Sequence, residues 1–117
     1  MISIAEDIKI MVCTQPIDMR KQVNGLILLV IEVLRLNPQS KQMFLFFGKT
    51  KDKVKALLWD NNGFILLYKK LEIEKLTFPQ HIHNPIEINN DLFQVLMRGF
   101  DFYRLKQHPE LKITQYF

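Results

Sequence analysis

Cysteine is almost missing from this chain. Cys13 is its single thiol, so no internal disulfide framework holds the fold and no zinc-type cysteine spacing exists. That usage fits a reducing compartment and predicts a cytoplasmic protein. Glycine is scarce as well: four residues, at 25, 48, 63 and 99, are too scattered to cradle a phosphate. Long apolar runs are absent. The longest, Leu26 to Ile31, falls far below the ~20 residues that span a bilayer, and no basic segment followed by an apolar run opens the chain. Neither an ordinary secretion signal nor a membrane span is expected. Clustered acids are missing too, and a strand-transfer nuclease needs about three carboxylates converging on two metal ions. Asp18, Asp60, Glu72 and Glu74 stand apart, so no catalytic residue, metal ligand or cofactor is predicted. His81 and His83 lack a third ligand nearby and read as exposed loop histidines. Cys13 has no base beside it and reads as a buried structural thiol.

What is present suits one globular domain: 117 residues, 48% hydrophobic and 24% charged, enough to bury a core without staples. The expected core runs from about residue 8 to 104, with 105–117 as a C-terminal tail. The formal net charge is +4, and its placement is uneven. Lys41, Lys49, Lys51, Lys53 and Lys55 share their stretch with one acid, Asp52, an excess equal to the whole net charge. Such a patch suits an anionic partner such as nucleic acid. Equally, it would keep a loop and an edge strand soluble.

The central feature is Val54 to Pro79, where Asn61-Asn62-Gly63 separates two apolar runs. Asn-Gly at such a place predicts a two-residue hairpin loop. With Asn62-Gly63 as the loop, Trp59 faces Leu66, Leu57 faces Tyr68 and Lys55 faces Lys70. One face then carries Val54, Ala56, Leu58, Ile65 and Leu67 and reads as core. The other carries Lys55, Leu57, Trp59, Leu66, Tyr68 and Lys70, an apolar and aromatic strip with lysines at its open end. Either a helix covers that strip or a partner touches it.

Around the hairpin, Ile8 to Thr14 reads as a first strand, with Ile8, Ile10 and Val12 on one face. Asp18 is the expected N-cap of a long helix reaching about Leu36 and stopped by Asn37-Pro38. Its apolar stripe is broadened by Leu28, Leu29 and Val33, as if more than one side were covered. Gln42 to Phe47 is apolar on both faces and reads as a central strand. A change of parity near Glu74-Lys75 predicts a turn or bulge. Residues 79–85 form a loop, and Asn89 or Asn90 caps a last helix with Leu92, Phe93, Leu96, Phe100 and Tyr103 on its apolar face. The expected fold is α+β, with α/β the alternative. It comprises a mainly antiparallel sheet of four to five strands with a central β-hairpin, packed by one long helix and a C-terminal helix.

Four segments in order carry a resemblance: Ile17-Asp18-Met19-Arg20-Lys21 with Asn24-Gly25-Leu26; Phe44-Leu45-Phe46-Phe47-Gly48; Lys55 to Phe64; and Tyr68-Lys69-Lys70-Leu71-Glu72 leading to Phe78-Pro79. Together they resemble the small TnpB-type accessory protein, the second open reading frame, of the bacterial insertion sequence 66 family of transposons. Roughly residues 8 to 102 take part. Gln22 stands where the family usually has a small residue, Glu74-Lys75-Leu76 replaces a Gly-Arg-Phe turn, and the basic loop uses lysine alone. Lysine is a point charge without the bidentate grip of arginine. The resemblance implies a non-enzymatic part in transposition beside a larger transposase that carries the strand-transfer chemistry.

Two functional expectations follow. In one, the chain binds DNA at transposon ends through Lys49, Lys51, Lys53 and Lys55, with Arg20, Lys21, Lys70, Trp59 and Tyr68 near the same surface. In the other, it is an interaction module that docks the transposase, another transposon-encoded protein, or a second copy of itself as a homodimer, without touching DNA.

Overall fold

The computed structural model describes residues 8–77 and 81–98. The expectations for Phe78, Pro79, Gly99, Phe100, Tyr103 and the tail at 105–117 lie outside the described residues. Seven elements follow one another: β1 (Lys9–Val12), α1 (Val23–Glu32), β2 (Gln42–Phe47), β3 (Lys53–Asp60), β4 (Gly63–Lys70), β5 (Ile86–Ile88) and α2 (Asn90–Met97). The strands make one sheet in the order β4-β3-β2-β1-β5. β2 is its middle strand, as an apolar pattern on both faces requires.

The sheet is mixed. β1 and β2 run parallel, Ile10 beside Met43 and Val12 beside Leu45, and α1 makes the crossover that a parallel pair needs. The other pairings are antiparallel. The hairpin β3-β4, central in the chain, occupies one edge of the sheet. β5 was not foreseen, because three residues are too few to show a period.

Each face of the sheet has its own core. On one, Ile10, Val12, Met43, Leu45, Phe47, Val54 and Ala56 pack with Phe93, Leu96 and Met97 of α2. On the other, Cys13, Phe44, Phe46 and Leu57 pack with Leu26 and Val30 of α1 and with Leu34. Period-2 alternation along each strand sends successive side chains into opposite cores, which is why Met43 to Phe47 are all buried. Burial pushes the Cys13 thiol pKa up, consistent with a packing role.

The first helix is shorter than its apolar pattern predicts. It begins after Gln22, not at Asp18, and ends at Glu32. At its start, the carbonyls of Met19 and Lys21 accept the Lys55 Nζ, so this segment is held as a turn against the sheet. Asp18 closes that turn instead of capping the helix, its carboxylate accepting from the Arg20 amide at 3.0 Å. At the other end Arg35 takes a left-handed conformation, φ 59°, and the Leu36 amide reaches back to the Val30 carbonyl at 3.0 Å. The chain reverses there through a left-handed arginine, a conformation that glycine usually supplies. α2 follows its sequence signal: the Asn89 side chain accepts from the Leu92 amide at 2.8 Å.

The hairpin loop is Asn61-Asn62, with Asp60 opposite Gly63, and Asn61 supplies the left-handed residue at φ 57°. Trp59 therefore faces Phe64, Leu57 faces Leu66 and Lys55 faces Tyr68, two residues from the expected register. An even slip preserves parity. The two faces keep the side chains assigned to them, and Phe64 joins the aromatic strip.

Candidate nucleic-acid interface

One end of the sheet gathers three segments distant in sequence. Residues 17–22 arrive from β1, the Ile17 amide bonding the Phe47 carbonyl at 2.9 Å. Residues 48–53 join β2 to β3. Residues 71–76 leave β4, the Leu71 amide bonding the Asp52 carbonyl at 2.7 Å and the Leu76 amide bonding the Lys51 carbonyl at 2.8 Å. Lys51 and Glu74 both adopt positive φ, 58° and 62°, and Glu74 marks the turn that the parity change predicts. Lys75 reaches across to the Thr50 carbonyl at 2.8 Å.

Gly48 makes the close fit of the first two segments possible. A Cβ on it would lie 2.5 Å from the Met19 Cγ, well inside van der Waals contact. Gly48→Ala is expected to destabilise the protein by about 1–3 kcal/mol through overpacking. Adding Met19→Ala should return part of that loss, as measured by a urea-denaturation double-mutant cycle.

The cations at this end differ in their surroundings. Lys49 is exposed and Lys51 half-buried. Lys53, half-buried, lies 3.4 Å from the Asp52 carboxylate. The Thr50 hydroxyl, donating at 2.6 Å, and then Lys53 hold that carboxyl below its usual range. Lys70 is exposed opposite Lys53. Arg20 and Lys21 are exposed on the turn before α1. Arg20 grips Asp18 through Nε and Nη2, the closest approach being 2.8 Å. That grip holds the Asp18 carboxyl far below its usual range, so the pair stays ionised and its charges offset each other. Asp52, Glu72 and Glu74 further dilute the excess of positive charge.

Lys55 has a different place from its neighbours. It is 6% exposed, bonds the Met19 and Lys21 carbonyls at 2.8 and 2.7 Å, and lies 5.6 Å from the centre of the Tyr68 ring. Its ammonium points into the protein. Counting lysines gave no warning of this, although alternation had put Lys55 on the face that α1 covers.

The aromatic strip divides in the same way. Leu57 is fully buried and Leu66 packs beneath α1, so the helix covers the middle of that face. Tyr68 remains 54% exposed next to the basic end. Trp59 stacks edge-on with Phe64, centroids 5.0 Å apart, at the turn end of the hairpin. Six residues of strand, about 20 Å, separate it from Lys53, so Trp59 does not share the lysines' surface. Lys75 was missed; its one signal was a cation beside the parity break.

Away from this end, His81 and His83 stack with centroids 5.1 Å apart, and the His81 Nδ1 accepts from the His83 amide at 3.0 Å. The His83 carbonyl accepts from the buried Thr14 hydroxyl at 2.8 Å. Among the described residues no three His, Cys, Asp or Glu side chains group to hold a metal ion. No described helix is long and apolar enough to cross a membrane.

Residues 8–107 match the family described as IS66 Orf2 like protein. The chain is 35% identical over 115 residues to the uncharacterized protein y4jC of Sinorhizobium fredii (strain NBRC 101917 / NGR234), covering 98% of each. It is 28% identical over 110 residues to the uncharacterized protein y4hO of the same strain, covering 94% of this chain and 92% of that one. No solved structure matches it.

Proposed function

Because the chain belongs to the IS66 Orf2-like family and is thereby a transposition accessory protein, we propose that it serves as a non-enzymatic DNA-binding accessory through its basic end. The observation that carries this reading is the convergence of Lys21, Lys49, Lys51, Lys53 and Lys75 from three segments onto one end of the sheet, with Lys70 and the half-exposed Tyr68 of β4 beside them. Lysines spaced along a surface neutralise phosphates as point charges without reading bases. Tyr68 adds a flat face on which a sugar or an unpaired base can rest. Arg20 contributes less than its charge suggests, because Asp18 occupies it. Lys55 is left out of the contact set. The partners in this reading are transposon-end DNA and the transposase.

The test is fluorescence anisotropy with terminal inverted-repeat DNA across a salt series. Each phosphate neutralised contributes about 0.9 to the slope of log K against log salt. Lys49→Ala, Lys51→Ala and Lys70→Ala combined are expected to lower that slope by about two to three. Absence of salt-sensitive binding in low salt would remove the reading.

A second reading has its own observation. Leu28 and Ile31, one turn apart on α1, are 54% and 46% exposed, an apolar face suited to docking the transposase. Capture of the transposase that Leu28→Asp abolishes, without DNA binding, would favour it.

A further inference from the structure

The two edges of the sheet are unlike. β5 is three residues long with Glu87 exposed at its centre, a short, charged edge of the kind that resists pairing. β4 is eight residues long and, among the described residues, pairs only with β3. It contains no proline, and Phe64-Ile65-Leu66-Leu67-Tyr68 runs along it without a charge. Ile65 on one face is 39% exposed and Tyr68 on the other 54%.

Among the described residues, the ladder shows which backbone groups are unspent. The Leu71 amide bonds the Asp52 carbonyl, so 71 and 52 form a hydrogen-bonded pair. Alternation along an antiparallel ladder then makes 69, 67, 65 and 63 face β3. Phe64, Leu66, Tyr68 and Lys70 turn their N–H and C=O groups outward, along the open edge.

We infer that β4 pairs with β4 of a second copy of this chain, antiparallel and centred on Leu66, to make one continuous ten-stranded sheet. This goes beyond the DNA-binding reading and does not depend on it. In this register the outward-facing Phe64 and Tyr68 of one copy lie opposite Tyr68 and Phe64 of the other, and Leu66 faces its own counterpart. Ile65 lies opposite Leu67. Isologous pairing of this kind satisfies both copies with one surface. Charge selects the register. Lys69 and Lys70 come opposite Gly63 and Asn62 of the second copy, beside the exposed Asp60 and away from any cation of that turn. Sliding the strands toward their lysine ends sets lysine against lysine, which cross-strand pairing disfavours.

Sedimentation velocity of the full chain from roughly 1 to 100 µM tests it. A species of twice the chain mass is expected. Ile65→Lys, at an exposed position, places a new cation diagonal to Lys69 of the other copy and should weaken the dimer about tenfold or more. Leu28→Lys, on the outer face of α1, should leave it intact. Phe64→Cys with Tyr68→Cys should give a disulfide-linked dimer under mild oxidation, because residues in a hydrogen-bonded pair lie about 5.5 Å apart, within disulfide reach. Buried Cys13 does not compete, and neither single variant should cross-link efficiently. A monomer throughout overturns the inference. A dimer broken by Leu28→Lys and untouched by Ile65→Lys overturns it too. No DNA enters the experiment, so its failure is distinct from failure of the basic end.

Discussion

Phe46→Ala is expected to cost the fold about 3–5 kcal/mol, a large share of the roughly 5–15 kcal/mol that holds a domain together. Phe46 is fully buried on the middle strand, in the cluster formed by Phe44, Leu57, Leu26 and Val30. α1 depends on that cluster more than most helices do. It has ten residues, no side-chain cap, no acid in its first turn and no base in its last, and an isolated helix so short is marginal in water. Removing the ring leaves a cavity under the helix and takes away part of the surface that keeps it folded. Urea denaturation followed by circular dichroism should show the midpoint falling with m largely retained. A loss below about 1 kcal/mol would mean that the α1 core collapses around the gap, and that the helix is held by something other than this cluster.

The same two cores explain which parts of the fold were legible. Gln42 to Phe47 lacks polar alternation, and a strand with that pattern has to be covered on both faces. The hairpin was visible because its parity is local; even the slipped register left every side chain on its assigned face. Asn89 was legible because a cap acts within three residues. What escaped depended on contacts distant in sequence. Residues 18–22 have a composition compatible with helix, yet a lysine more than thirty residues away bonds two of their carbonyls and holds them as a turn. Arg35 turns the chain after α1 in a left-handed conformation that composition assigns to glycine. The parallel pair β1-β2 was implied by the strand-helix-strand order, but the clear hairpin drew the expectation toward an antiparallel sheet.

The basic end was half legible for a related reason. Alternation told which lysines share a face, and Lys49, Lys51, Lys53 and Lys70 do lie at one end with Lys21. It did not tell that α1 and the turn before it cover Lys55, or that Trp59 sits at the far end of the hairpin. A charge pattern read along one strand says nothing about what packs over it. Lys75 joins the patch through a turn of left-handed backbone at Glu74, which sequence announces only as a break in parity.

Lys55→Met isolates that difference between a surface charge and an internal one. Methionine keeps most of the apolar stem but cannot donate, so the Met19 and Lys21 carbonyls lose a charge-assisted partner inside the protein. Each such bond is worth about 1.5–3 kcal/mol, and leaving a buried acceptor unpaired costs about 1–3 kcal/mol. Relief from burying an ammonium without a carboxylate partner offsets part of this. The expected net loss is about 2–3 kcal/mol, or roughly 10 °C in Tm. Lys49→Met, at an exposed position, should stay within about 0.5 kcal/mol of the parent. The two changes should part again in DNA binding. Lys55→Met loosens the turn that presents Arg20 and Lys21, so affinity falls, but the salt slope stays, because its ammonium meets no phosphate. Lys49→Met lowers the slope by about 0.9 and leaves the melting curve in place. If Lys55→Met melted with the parent while flattening the salt dependence, the ammonium would belong to the DNA-facing surface and not to the lock beneath it.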